Sequence, residues 1–348
     1  MSTSRDLFEA SEKSAPLWSG ADVAKEWFDA AVWPANHPID VRRMRELPTK
    51  RFERTFEGAR AYLEWAEKKL GATPRVVMEA TGSYSTELAI WLIAQRPACQ
   101  PAIINPRTVK DYIDSLDPRN NTDQIAARAL ARYGMERCPA PYEPPTPERA
   151  ALRELTRFRV IVIEQRVAHE ARLGEVSHHS AVTKMIRADI KRLEKQEKKL
   201  DEEIRAHIRK NPALNEDIQL LRSIYGVDWT VAATVLAELG NLRRFEHARQ
   251  LTAFAGVAAG RKESGKSVHG RAKVCKMGSP AVRRVLCMAA RSAVRGANDW
   301  ADDYSRLVEA GKTKRAAESA IARKILVTMR AILITRKPYE KHYGAACG

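Results

Sequence analysis

Two groups of residues in this chain have side chains suited to phosphodiester chemistry, and about 140 positions separate them. In the N-terminal part, Asp22, Glu79 and Asp123 each follow a predicted strand or begin a predicted helix. In the C-terminal part, Ser264 and Gly265 lie within a long basic stretch. Carboxylates can hold a metal ion that activates a phosphate, and a serine hydroxyl can attack that phosphate. Neither group is persuasive alone, but together they predict one composite site that breaks and joins DNA.

The three acids could converge on Mg²⁺, because this ion prefers hard oxygen ligands and shares them with substrate phosphates. Two such ions can stabilise the attacking and leaving oxygens together. Acids at strand ends are also common in proteins that bind no metal, so their spacing leaves a structural role open.

Ser264 has the surroundings of a nucleophile that attacks phosphate. Gly265 would let a phosphate approach the backbone closely, and neighbouring cations can stabilise the charge of pentacovalent phosphate. The alternative is a flexible basic loop that grips the nucleic-acid backbone without chemistry. His269 and Cys275 are near in sequence, and a structural role is favoured for both over proton transfer. The residues expected to contact nucleic acid are Arg261, Lys262, Lys266, Arg271, Lys273, Lys276, Arg283 and Arg284.

The composition favours a polyanionic partner. The 348-residue chain has a formal net charge of +17, and residues 241–300 contain 13 Lys/Arg but only 3 Asp/Glu. Such an excess is typical of proteins that bind nucleic acid, because each neutralised phosphate releases counterions. No apolar run is long enough to span a membrane, and the polar N-terminus does not resemble a signal peptide. Five cysteines without CxxC spacing argue against a disulfide framework, so we expect a cytoplasmic protein.

The acids lie in a region that alternates predicted strands with helices. Strands are expected at 17–23, 27–32, 75–79 and 101–105, and helices at 52–70, 84–95 and from 122 onward. Thr122 is a good N-cap, which places Asp123 in the first turn of its helix. This alternation predicts an α/β domain with a parallel or mixed sheet whose strand ends present Asp22 and Glu79.

The rest of the chain reads as largely helical. We divide the chain into an α/β domain (1–137), a proline-rich linker (138–147), a coiled coil or helical hairpin (148–212) and a mostly α-helical C-terminal domain (213–348). The heptad spacing of Ile186, Ile190, Leu193, Leu200 and Ile204 favours the coiled coil, with a break near His178 and His179. Residues 221–228 resemble a helix-hairpin-helix turn, whose backbone amides hold a DNA phosphate, although Asp228 stands where a second glycine is usual. An ordinary packing turn is an equally good interpretation.

Short segments along the chain resemble the insertion-sequence "one-ten" family of transposases. Those in the N-terminal part are residues 78–84, 104–106, 121–125 and 129–134. Those in the C-terminal part are residues 254–257, 263–265, 276–278 and 283–286. The segments span nearly the whole chain in the family's order.

This resemblance implies a RuvC-like, RNase H-type N-terminal domain whose four acids, in the pattern DEDD, hold Mg²⁺. It also implies a C-terminal serine that forms a transient phosphoserine link to DNA. Asp22, Glu79 and Asp123 match three of the four acids, and Ser264 matches the nucleophile. The implied partners are a non-coding guide RNA encoded by the element, and donor and target DNA. Dimers would assemble into a tetramer, with acids and serine supplied by different subunits.

The fourth acid is missing. The family pattern Thr-Asp-x-x-Asp-Ala reads Thr-Asp-Gln-Ile-Ala-Ala here, with Ala126 at the second acidic position. Positions 123 and 126 lie on the same helical face, so two acids there could share a metal. Ala126 cannot ligate one. The chain is either a deliberately inactivated variant or a natural, weakened one, and the intact surroundings favour an engineered knock-out. We therefore expect impaired metal binding and strand cleavage, but intact RNA and DNA binding. Cys275, where a serine is expected before Lys276, is a second departure to which we attach no mechanism.

Two other functions fit part of the sequence. A metal-dependent nuclease or junction resolvase would cut with the acids and use Ser264 only for binding. A non-catalytic nucleic-acid-binding protein would explain Ala126. Covalent protein–DNA adducts separate the recombinase from the nuclease, because hydrolysis forms none. The binding protein predicts salt-sensitive binding and no strand transfer even after Ala126→Asp.

Overall fold

The computed structural model describes residues 17–34, 37–38, 41–116, 122–175, 180–260, 263–264, 268–269, 273–274 and 278–340. The chain divides into two units, Met1–Pro144 and Pro145–Gly348. The described elements of the first unit are β1 (Trp18–Val23), β2 (Trp27–Trp33), β3 (Thr49–Glu53), α1 (Phe56–Leu70), β4 (Arg75–Glu79), α2 (Ser83–Gln95), β5 (Ala102–Ile104), α3 (Pro106–Leu116) and α4 (Asp123–Arg137).

The first unit is a mixed five-stranded sheet covered by helices on both faces. Its strand order is β3-β2-β1-β4-β5; β1, β2 and β3 pair antiparallel, whereas β4 and β5 run parallel to β1. One face packs with α1 and α2 around Phe28 and Tyr62, and the other packs with α3 and α4 around Val77 and Leu130. The α/β domain expected from the sequence is confirmed.

Two elements of this unit differ from the expectation. The helix predicted at 52–70 begins only at Phe56, because Thr55 caps it by accepting a hydrogen bond from the Gly58 amide. The residues before it form β3, whose Phe52 turns inward and stacks on Phe28. The second difference is α3, which begins at Pro106, where we had expected only the end of a strand. Proline is favoured in the first turn of a helix.

Helix α4 lies unusually close to β1. A Cβ built on Gly20 would lie 2.1 Å from the Ala127 carbonyl oxygen and 2.4 Å from the Ala131 amide nitrogen. One helical turn further along, a Cβ on Gly134 would lie 2.5 Å from the ring of Trp18. At Gly20 the strand and helix backbones therefore touch directly, whereas Gly134 leaves room for the Trp18 ring.

We expect Gly20→Ala to destabilise the first unit by about 3 kcal/mol or more, at the upper end of the usual cost of overpacking, because the new methyl meets backbone atoms that cannot rotate away. Thermal and urea unfolding of the full chain measure this change. Gly174→Ala is the matched control, because its Cβ would meet nothing within 4 Å. Equal stability of Gly20→Ala and the wild type would show that α4 can move off the sheet.

The described elements of the second unit are mostly helical. They are α5 (Pro147–Glu175), α6 (Ser180–Lys210), α7 (Pro212–Leu221), α8 (Trp229–Leu239), α9 (Ala248–Phe254), β6 (Ala259–Gly260), β7 (Glu263–Ser264), β8 (Val268–His269), β9 (Lys273–Val274), α10 (Pro280–Ala293), α11 (Asp299–Glu309) and α12 (Lys314–Thr335). The core gathers around α8, whose residues are buried on nearly every side, between α5, α7 and α10. In the part of the chain that the structure describes, no helix has the length and apolar character needed to cross a membrane.

Helices α5 and α6 pack against each other, and ion pairs connect them. Arg159 contacts Asp201 at 2.5 Å and Glu197 at 3.3 Å. Of the predicted heptad positions, Leu193 and Ile204 are buried, whereas the other three are only half-buried. The pairing of the two helices is found, but a coiled coil is not confirmed. The predicted break at His178 and His179 lies outside the described residues.

Candidate active site

Strand register brings Asp22 and Glu79 to the same face of the sheet. Strands β1 and β4 run parallel with Ala21 opposite Met78, so the next residues along the two strands are Asp22 and Glu79. Alternate residues of a strand share a face. Glu79 therefore lies on the side of Val77, and Asp22 on the side of Gly20, which is the side that α4 covers.

Helix α4 brings its own acid to the same place. Thr122 is the N-cap and accepts a hydrogen bond from the Ile125 amide, as expected, so Asp123 occupies the first turn. Negative side chains are favoured there by the helix dipole. Ala126, one turn later, is 7% exposed and packs into the core between α4 and the sheet.

The acids share one cavity of about 300 Å³. Its lining residues are Asp22, Glu79, Lys110, Ile113, Asp114, Thr122, Asp123 and Ala126. The structure thus brings together the three acids singled out in the sequence, and Ala126 lies on the same wall. It also adds two charged residues from α3, Lys110 and Asp114. Neither was predicted to belong to the site, because the sequence pattern indicates no helix after Pro106.

An ion pair between a buried aspartate and an exposed arginine borders this group of acids. Asp29 lies opposite Asp22 on β2 and is 1% exposed. Its partner is Arg51 on β3, whose Nη2 donates to Asp29 Oδ2 at 2.6 Å and to Asp123 Oδ2 at 3.2 Å. Arg51 therefore links the sheet to the first turn of α4 and offsets part of the negative charge. An acid within the otherwise apolar strand WFDAAVW was the signal for Asp29 in the sequence.

Asp22 is the acid whose ionisation is most strongly perturbed. Burial, followed by the negative charges of Asp123, Glu79 and Asp29, raises its pKa from the ordinary 3.8 to about 6. Burial also raises the pKa of Glu79. Raised carboxylate pKa values are expected in a site that gathers negative charge to bind a cation, because ionisation is unfavourable while the cation is absent.

The chemistry of these side chains fits a hard divalent cation, because carboxylate oxygens are the ligands that Mg²⁺ prefers. The residues that would hold it are Asp22, Glu79 and Asp123. Among the described residues, no three His, Cys, Asp or Glu side chains already lie close enough together to hold a metal ion. The site is thus an acidic cavity and not a preformed cage.

The raised pKa of Asp22 predicts a pH-dependent stability of the metal-free protein. The folded state binds a proton at about pH 6 and the unfolded chain only near 3.8. Stability is therefore lost as the pH rises through 6. We expect Asp22→Asn to be about 1 to 2 kcal/mol more stable than the wild type at pH 8, after allowance for solvent screening, and equally stable near pH 4. Urea unfolding of both proteins in EDTA measures this difference, and a difference that does not change with pH would contradict it.

Ser264 lies in the second unit, in a pair of short strands. Strand β7 pairs antiparallel with β8, with Ser264 opposite Val268, and β6 pairs antiparallel with β9. Two residues separate β6 from β7, and three separate β8 from β9. The two pairs are nested in the sequence, because β7 and β8 lie between β6 and β9. Ser264 is the last residue of β7, and three residues lie between it and the start of β8.

The basic residues expected to contact nucleic acid are only partly described. Arg261, Lys262, Lys266, Arg271 and Lys276 lie outside the described residues, as does Cys275. The backbone of Lys273 pairs with Gly260 in the β6–β9 pair, and that of His269 pairs with Glu263. On α10, Arg283 donates to the Gly278 carbonyl at 2.6 Å, and Arg284 contacts Glu164 at 2.6 Å.

The structure gives Asp228, which replaces the second glycine of the helix-hairpin-helix pattern, a role in the turn between α7 and α8. Asp228 is the N-cap of α8, and its Oδ1 accepts from the Val231 amide at 2.8 Å. Gly226 has φ +81° and a Cβ there would lie 2.3 Å from the Ala289 carbonyl oxygen, so this glycine is required for packing against α10. Phosphate binding by this turn stays a prediction.

Comparison with known proteins gives matches in both units. A family model for the DEDD domain of IS110 transposases, described as "Transposase", matches residues 19–177, and a model described as "Transposase IS116/IS110/IS902 family" matches residues 218–306. The chain is 27% identical over 330 residues to the pilin gene-inverting protein of Moraxella bovis, covering 92% of this chain and 97% of that protein. The counterpart in Moraxella lacunata is equally similar. The transposase for insertion sequence element IS1111A of Coxiella burnetii is 25% identical over 300 residues, covering 76% and 79% of the two chains.

Proposed function

Because the chain belongs to the IS110 family of transposases, the insertion-sequence "one-ten" family, we propose that it is an RNA-guided DNA recombinase with a serine nucleophile. The observation that carries this proposal is the convergence of Asp22, Glu79 and Asp123 on one cavity, inside the region that matches the DEDD transposase model. The strand order of the first unit also supports an RNase H-like fold for it.

The relatives support cutting that is followed by rejoining. A protein named for inverting a pilin gene must break DNA and join it again in the opposite orientation, which a simple nuclease does not do. A phosphoserine intermediate keeps the energy of the broken phosphodiester bond, so that rejoining needs no outside energy source.

In the proposed mechanism, Ser264 Oγ attacks a DNA phosphate and loses its proton to a base. A phosphorus–serine bond forms, the phosphorus–oxygen bond to one DNA strand breaks, and that strand leaves with a hydroxyl end. The hydroxyl of the other DNA then attacks the phosphoserine and releases the serine. A bound Mg²⁺ would stabilise charge on the phosphate oxygens. Asp22, Glu79 and Asp123 would hold that ion, and lysines and arginines of the basic stretch around Ser264 would bind the phosphates.

The partners we propose are the guide RNA encoded by the element, and donor and target DNA. The net charge of +17 supports polyanionic partners of this kind. We also propose a homodimer that pairs into a homotetramer, with the acids and the serine of one active site coming from different subunits.

The test is a recombination assay with purified protein, donor and target DNA, Mg²⁺ and the RNA transcribed from the element's flanking sequence. Joined donor–target products are expected with the RNA and absent without it. An RNA with altered target-pairing bases should redirect the products to the matching DNA. Products that form equally without RNA would remove RNA guidance from the proposal, and hydrolysed ends without joining would favour the nuclease.

Ala126 favours a weaker form of this activity, because α4 supplies one cavity carboxylate where two are expected. If no other residue compensates, metal binding and cleavage are impaired while RNA and DNA binding survive. In the extreme case, the protein binds nucleic acid and has no catalytic activity. This alternative predicts salt-sensitive binding and no strand transfer even in an Ala126→Asp variant.

A further inference from the structure

The position of Ala126 shows what the acidic cavity lacks. Ala126 lines the cavity one helical turn after Asp123, on the same face of α4. An aspartate at this position would project its carboxylate beside those of Asp22 and Asp123. The alanine leaves that part of the wall without a charge and without a metal ligand.

Helix α3 brings another carboxylate to this wall. Ile113 is 5% exposed and packs in the same apolar cluster as Ala126, which fixes this part of α3 against α4. The residue after Ile113 is Asp114, which lines the cavity together with Lys110, one helical turn earlier. Asp114 therefore reaches the cavity from the helix that packs next to the missing acid.

We propose that Asp114 is the fourth carboxylate of the metal site and replaces the acid missing at position 126. This inference rests on the proposed function, because it concerns a ligand of the same Mg²⁺. Under this assignment, Asp114 on α3 supplies the carboxylate that Ala126 on α4 lacks, so the chain retains four cavity carboxylates.

The charges on α3 agree with this assignment. The ion pair described along this helix joins Arg107 to Asp111, at 3.9 Å, and Asp111 is not among the residues that line the cavity. Among the described residues, no ion pair links Lys110 to Asp114. The Asp114 carboxylate is thus available to a cation, and Lys110 is available to a phosphate that the cation brings in.

The experiment measures Mg²⁺ affinity of the full chain by calorimetry, with Mg²⁺-induced thermal stabilisation as a second readout. Asp114→Asn is expected to weaken Mg²⁺ binding at least tenfold, and Asp111→Asn, the matched control on the same helix, less than twofold. Adding Ala126→Asp to Asp114→Asn should restore the affinity. Such rescue identifies a ligand, because a residue that merely supports the fold would not be replaced from another helix.

The Asp22→Asn variant distinguishes failure of the Asp114 assignment from failure of the whole metal site. If Asp22→Asn abolishes Mg²⁺ binding but Asp114→Asn leaves it unchanged, the acidic cavity holds the metal and the assignment of Asp114 is wrong. If neither substitution affects Mg²⁺ binding, the proposed metal site itself fails. Weaker binding in Asp114→Asn that Ala126→Asp does not rescue would also overturn the assignment, because Asp114 would then act through the fold.

Discussion

A Ser264→Ala protein is expected to bind its RNA and DNA as the wild type does, and to form no covalent protein–DNA adduct. The proposed mechanism passes through a phosphoserine, so loss of the hydroxyl removes the oxygen that would form the bond to phosphorus. Strand joining should fall by about three orders of magnitude or more, the scale of losing a catalytic nucleophile. The measurement is a denaturing gel of labelled junction DNA incubated with protein, RNA and Mg²⁺.

Ser267→Ala is the matched control for this variant, since it removes a hydroxyl from the same basic stretch, three residues later. It should keep the shifted covalent band. A band that persists in Ser264→Ala would mean that another residue is the nucleophile. Cleaved DNA without a band in every protein, including the wild type, would assign the attack to water and the function to a nuclease.

An Asp22→Asn protein is expected to lose Mg²⁺-dependent strand cleavage by about a thousandfold, because the acid nearest the centre of the negative charge can no longer hold a cation. The same protein should be more stable than the wild type without metal at pH 8, because the substitution removes the charge that the folded state disfavours. Lost activity together with gained stability distinguishes a missing ligand from a damaged fold.

Cleavage and unfolding of Asp22→Asn are measured with and without Mg²⁺. The wild type should gain thermal stability from Mg²⁺, and Asp22→Asn should gain none. Glu79→Gln, from the neighbouring strand, is expected to show the same pattern with a smaller pH effect. Wild-type cleavage by Asp22→Asn would place the metal site elsewhere in the chain.

The framework of the site could be predicted from local sequence. The strands that carry Asp22 and Glu79 are short apolar runs, and the cap at Thr122 fixes the start of α4, so three acids and their elements followed from pattern alone. Local sequence could not predict that the acids converge, because convergence depends on which strands are neighbours in the sheet. The resemblance to a known family supplied the expectation, and the order β1-β4 with α4 across it provides the geometry.

The residues that were missed depend on tertiary contacts. Arg51 belongs to a strand because Phe52 packs against Phe28, although the local sequence also reads as the start of a helix. Its contact with Asp29 depends on the register between β2 and β3, and no local pattern sets that register. Helix α3 was missed because Pro106 signals the end of a strand as readily as the start of a helix, and Asp114 was missed with it.

The direct backbone contact between β1 and α4 limits how this site can change. Because the separation of Gly20 from Ala127 and Ala131 is set by main-chain atoms, exchanging the side chains that line the cavity leaves it unchanged. Evolution can therefore change the metal chemistry here by redistributing acids among positions around a scaffold of constant dimensions. A protein engineer could therefore change the charge of the cavity one residue at a time, provided that Gly20 and Gly134 are kept.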